Sequence, residues 1–109
     1  MKPSGIIPLP VERALRKLGS DLKEARLRRR LTMQLIEERA GITHVTLSRV
    51  EKGEPNVTLG TYAKVMFSLG LLEPLAQLAD PQTDWTGQQC AREQLPQRVR
   101  YTKKEKQDG

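Results

Sequence analysis

The stretch from Thr32 to Gly53 reads TMQLIEERAGITHVTLSRVEKG, and its punctuation decides the fold. Thr32 is a good helix N-cap, since its hydroxyl can accept from a backbone N–H that lacks a partner inside the helix. Met33 to Ala40 then carry a helix, and Gly41 fits the left-handed residue that ends one. Ile42 is an apolar pivot, Thr43 is a second N-cap, and a second helix runs from there to Lys52 before Gly53 closes it. Ile36, Ala40, Ile42, Leu47 and Val50 are apolar where two such helices must pack together. At Gly41 a β-carbon would strain the turn.

Outward from this pair the pattern stays helical. Val11, Leu15, Leu18, Leu22 and Ala25 recur at spacings of three and four, the stripe of an amphipathic helix. The pair Gly19-Ser20 lies inside it, so one long helix and two consecutive ones are both open. Before it, residues 1–10 contain three prolines and a glycine and read as an extended arm. On the other side Thr58 caps a fourth helix, with Leu59, Tyr62, Val65, Met66 and Leu69 on one side and Gly70 at its end. Leu71 to Ala79 hold a short fifth helix, where Pro74 is tolerable only in the first turn. The expected fold is therefore all-α, a bundle of about five helices over residues 11–79.

Beyond Asp80-Pro81 the composition turns polar, and residues 80–109 read as an extended tail for protein interaction or disorder. Only Leu95 to Thr102 alternates like a short strand, and Pro96 limits that to an edge or a start.

A chain of 109 residues has room for one small domain and such a tail. With only four aromatic residues, the core must be aliphatic. The net charge of +6 is uneven: Met1 to Ala79 hold 13 Lys and Arg against 8 Asp and Glu, whereas Asp80 to Gly109 hold 6 against 5. A basic helical part favours an anionic partner, nucleic acid ahead of membrane. The single cysteine, Cys90, excludes an internal disulfide and fits a reducing cytoplasm. No apolar run approaches the roughly 18 residues of a membrane span, and prolines interrupt the N-terminus before a signal-peptide core can form. A soluble, cytoplasmic protein is the expectation. One histidine and one cysteine cannot make the usual structural zinc set, and no glycine-rich phosphate loop follows a strand. Neither catalysis nor a cofactor or metal is expected.

Two short helices joined by a tight turn within a helical bundle form a helix-turn-helix, whose second helix enters the major groove of DNA. At 100° per residue, Thr46, Leu47 and Val50 of that helix point to the core, and His44, Val45, Ser48 and Arg49 spread over the opposite side with Lys52. Arg49 suits guanine, His44 and Ser48 donate or accept, and Val45 suits a thymine methyl, so these four are the candidate base readers. Candidate phosphate contacts are Met33 and Thr43 at the two helix starts, then Lys52, Asn56 and Thr58. Arg28, in the cluster Arg28-Arg29-Arg30, either meets phosphate or complements a helix C-terminus.

The stretch from about Leu18 to Leu72 resembles the XRE (lambda-repressor-like) family of bacterial and phage regulators. The likeness rests on Leu18-Gly19 through Ala25-Arg26, on Leu31-Thr32, on Ala40-Gly41-Ile42-Thr43 and above all on Leu47-Ser48-Arg49-Val50-Glu51-Lys52-Gly53. It implies an ion pair between Arg26 and Glu51. One departure stands out: Glu37 occupies a position where the family usually has a small residue, so its carboxylate must turn outward or pair with a basic group. The proline-rich arm, Val57 to Tyr62, Leu69-Gly70-Leu71 and Leu95 to Arg100 are similar to HipB-like antitoxins. That likeness implies a dimeric repressor of its own operon that binds a HipA-like kinase toxin. A stand-alone regulator of phage or restriction-modification type, without a toxin partner, is the alternative, and a protein- or RNA-binding adaptor a more distant one. Two recognition helices on one operator require a homodimer, for which Leu71, Leu72, Leu75 and Leu78 are the candidate interface, unless they close the monomer's own core.

Overall fold

Helix begins earlier than the proline-rich start suggests. The computed structural model describes residues 6–94, and α1 spans Leu9–Arg28 with Pro8 as N-cap and Pro10 in the first turn. Proline is tolerated there because the first N–H groups of a helix have no partner within it. Helix therefore starts two residues before the end of the arm expected from composition. α1 is one continuous helix of 20 residues, which decides the question that Gly19-Ser20 left open. Gly19 is buried and lies against the backbone of Val50, Glu51 and Gly53, so its missing β-carbon serves close packing rather than a kink.

Four more helices follow: α2 Met33–Ala40, α3 His44–Glu51, α4 Leu59–Ser68 and α5 Leu72–Ala76. The caps of α2, α3 and α4 are alike. The hydroxyls of Thr32, Thr43 and Thr58 accept from the backbone N–H of Leu35, Thr46 and Thr61 at 3.1, 3.2 and 3.1 Å. α2 stops at Gly41, in the left-handed region at φ 68°, where the N–H groups of Gly41 and Ile42 both donate to the Glu37 carbonyl at 2.8 and 3.1 Å. α5 is shorter than its leucine pattern predicts and holds Pro74 in its opening turn.

The chain divides into two units, Met1–Leu75 and Ala76–Gly109. In the first, α3 packs against α1, α2 and α4, and α2 also packs against α4. The core is Leu22 and Ala25 of α1, Ile36 of α2, Leu47 and Val50 of α3, and Tyr62, Val65 and Met66 of α4 with Leu69. Ile36, Leu47 and Val50 are fully enclosed. Leu59 is not in it: as the first residue of α4 it is 67% exposed, a correction to the helical face assigned from spacing.

In the second unit residues 85–94 are helical, where the polar composition pointed to an extended tail. Asp84 caps them, its Oδ1 accepting from the Gly87 N–H at 3.0 Å. The Gln88 side-chain amide donates to the carbonyls of Pro81 and Gln82 at 2.7 and 2.8 Å. Polarity alone does not oppose a helix when the run contains good helix formers and a cap. No strand is present among the described residues. The strand-like segment Leu95 to Thr102 lies outside them.

Candidate nucleic-acid interface

α3 is two-sided. Leu47 and Val50 are fully buried, while His44, Val45 and Arg49 are exposed and Ser48 is half-buried. Thr46, assigned to the core side, is half-buried as well. Two polar groups of the outer side have partners within the chain. His44 Nδ1 lies 2.7 Å from Glu37 Oε2, and Arg49 Nε lies 3.8 Å from Glu54 Oε1. Arg49 to Glu54 is longer than a hydrogen bond and solvent-exposed, so it leaves the guanidinium free to turn to another acceptor.

The orientation of α3 is set at its far end. Arg26 Nε donates to Glu51 Oε2 at 2.8 Å and Nη2 to Oε1 at 3.2 Å, a bidentate bridge from α1 to the last residue of α3. The third arm of the same guanidinium donates to the Leu31 carbonyl at 3.1 Å. Both side chains are 8% exposed. A planar fork held at three points fixes direction as well as distance. Beside it Gly53, at φ 70°, sits where any β-carbon would overlap the Leu15 carbonyl of α1. Helix and bridge thus hold α3 at both its core face and its C-terminal end.

The expected phosphate contacts distribute unevenly. Thr43 and Thr58 spend their hydroxyls on capping and on bonds to Thr46 and Thr61, both 3.0 Å. What they leave for an anion is the open backbone N–H groups of the helix starts. Lys23, Met33, His44, Ser48 and Lys52 line one shallow depression together with Arg26 and Glu51. Lys23 was not among the residues singled out from sequence; its position next to Leu22 on the α1 stripe was the available signal. Gln34, Glu37, Gly41 and Thr43 line a second depression with Glu38, Ile42, Thr46 and Thr61. Asn56 is exposed in the loop before α4.

The arginine cluster resolves residue by residue. Arg29 Nη1 donates to the Ala25 carbonyl at 3.0 Å, satisfying the end of α1. Arg30 takes the left-handed conformation at φ 57° that turns the chain toward α2. Arg28 stays exposed, 3.5 Å from Glu24.

Of the leucines considered for a dimer, Leu71 and Leu75 pack against the chain's own core. Leu72 and Leu78 are 41% and 75% exposed. Phe67, absent from that set, is 66% exposed on α4. Among the described residues no group of acidic, histidine and cysteine side chains is placed to hold a metal, and no helix is long and apolar enough to cross a membrane.

Residues 22–66 match the family model described as helix-turn-helix. The matched span runs from within α1 to near the end of α4 and contains α2 and α3 entire. It supports a DNA-binding transcription regulator. No curated protein and no solved structure matches the chain.

Proposed function

We propose that this chain is a repressor that binds an operator as a homodimer, reading bases with His44, Val45, Ser48 and Arg49 of α3. The observation that carries the proposal is the division of α3, with Leu47 and Val50 in the core and His44, Val45 and Arg49 outside. Backbone N–H groups at the starts of α2 and α3, with Lys23, Lys52 and Arg28, attract the phosphates and set the register. Two copies place two recognition helices about 34 Å apart, one turn of DNA. Leu72 and Leu78 are the interface leucines left free by the monomer's core.

The proposed physiological role is that of an antitoxin: a repressor of its own operon that also binds a HipA-like kinase toxin. Its support is the sequence likeness in Val57 to Tyr62 and Leu69 to Leu71, together with Leu95 to Arg100. Footprinting on the DNA upstream of the gene tests both levels. Protection of a palindrome by the chain alone supports the repressor, and altered protection on adding the neighbouring gene product supports the antitoxin. Protection indifferent to a neighbouring kinase leaves a stand-alone regulator. Removing residues 82–109 should keep operator binding within a few fold and weaken capture of the kinase.

A further inference from the structure

We infer that Glu37 is a specificity-positioning residue: it holds the His44 imidazole by Nδ1, so that Nε2 is the nitrogen offered to a base edge. The inference rests on the proposed reading of DNA by α3 and adds to it a residue that need not touch DNA.

His44 is the first residue of α3, and its side chain is 66% exposed. An imidazole with two free torsions and two different nitrogens would present neither in a fixed direction. Here Nδ1 meets Glu37 Oε2 at 2.7 Å. A carboxylate has no proton to give, so Nδ1 donates, and the remaining nitrogen is the one left for a ligand. The anchor is itself anchored. Glu37 is 18% exposed, and its own carbonyl receives the N–H groups of Gly41 and Ile42 in the turn. The ring therefore inherits its direction from the turn between α2 and α3. The charged residues that line the same depression as His44 are Lys23 and Arg26 of α1, Glu51 of α3 and Lys52 just after it. Arg26 and Glu51 are spent on each other, which leaves Glu37 as the carboxylate bonded to the ring.

A carboxylate at this place also repels phosphate, independently of sequence. Its two effects have opposite signs, and that makes them separable. Glu37→Ala should raise affinity for non-specific duplex about 2- to 5-fold by removing one negative charge. It should also lower the preference for the favoured base at one position per half-site about 5- to 10-fold, by releasing the ring. Glu37→Gln keeps an oxygen that accepts from Nδ1, so it should raise non-specific affinity in the same way while keeping most of the base preference.

The test combines selection from randomised duplexes, anisotropy titrations on a non-specific duplex, and the nitrogen-15 imidazole spectrum of free protein. Wild type should show a protonated, hydrogen-bonded Nδ1 that Glu37→Ala loses, and the preference should drop with it. A wild-type imidazole without that bond overturns the inference. So does a preference within twofold of wild type in Glu37→Ala, or the same drop when His44 is already alanine, which would mean a general distortion of the domain. If wild type bound no duplex, the DNA reading itself would fall and this inference with it; intact binding with unchanged preference overturns the inference alone.

Discussion

Replacing Glu51 with alanine should strongly destabilise the helical domain, although the residue lies at a helix end and in no apolar cluster. Its carboxylate takes two hydrogen bonds from Arg26, at 2.8 and 3.2 Å, with both side chains 8% exposed. Truncation leaves the guanidinium buried with only the Leu31 carbonyl as acceptor. Breaking a buried pair from one side costs about 3–5 kcal/mol, because the uncompensated charge stays behind. A small domain has roughly 5–15 kcal/mol in total, so at the low end of that range the variant would retain little. At a urea slope of roughly 1 kcal/mol per molar, the midpoint should fall by about 3–5 M. Lys17 and Asp21 provide the internal control. Their bond is shorter, 2.6 Å, but the side chains are 78% and 56% exposed, and Asp21→Ala should cost at most about 0.5 kcal/mol. The double variant Arg26→Met, Glu51→Leu should recover most of the loss, short of about 1 kcal/mol for the Leu31 carbonyl. The assay is urea denaturation followed by circular dichroism. A loss below about 1 kcal/mol for Glu51→Ala, or a double variant no better than the single, would refute burial as the source of the effect.

Gly19→Ala should destabilise by at least about 2 kcal/mol, because the new β-carbon meets the Gly53 nitrogen and the carbonyls of Val50 and Glu51. Gly60→Ala, whose β-carbon finds nothing nearer than 3.8 Å, should be neutral or gain up to about 1 kcal/mol, as an ordinary helical position does; thermal melts of the two variants check the opposite signs. Tyr62→Phe removes the 2.7 Å bond from the phenol to the Glu54 carbonyl and should cost about 1 kcal/mol at neutral pH. Burial first, and then the Glu54 carboxylate, raise the Tyr62 phenol above its ordinary value of 10.0. Its stabilising contribution is thus present below pH 10 and lost as pH rises through the higher folded value, so the gap between wild type and variant should close in strongly alkaline urea titrations. Arg49→Ala should cost about 1–3 kcal/mol on the operator and relax one or two base pairs, whereas Lys52→Ala should weaken all duplexes alike and reduce the salt slope by about 1, both read by salt-dependent anisotropy.

What could be seen in the sequence was local chemistry. Thr32, Thr43 and Thr58 each cap the helix that follows them, and Gly41 takes the left-handed turn, because a cap or a left-handed residue is decided within three or four positions. Pairings across the fold were less accessible. The need for a partner to Glu37 followed from its carboxylate, but that His44 is the partner depends on how α2 and α3 are turned about their axes. Lys23 and Lys52 share a depression although 29 positions separate them, and only the packing of α1 on α3 brings them together. Leu59 misled in another way: its spacing from Tyr62 and Met66 suits the apolar face, yet the first residue of a helix lies at the rim of the packed region. Residues 85–94 were hidden by composition, since a capped polar helix carries no apolar stripe to announce it.

A helix of eight residues cannot hold its shape in water, because nucleation costs more than its few internal hydrogen bonds return. α3 is such a helix, and the face it presents outward depends on the elements packed around it. Those elements act at separate points. Leu47 and Val50 fix its rotation through the core, Arg26 fixes its C-terminal end, and Glu37 reaches its first residue. The proposed base-reading positions alternate around the helix with the buried ones at 100° intervals, so a rotation that repacked Val50 would also swing Arg49 and His44. Rotation and readout cannot be adjusted separately. On the proposed reading, specificity is a property of the α1–α2–α3 assembly, and the residues that set it include several that no base would touch.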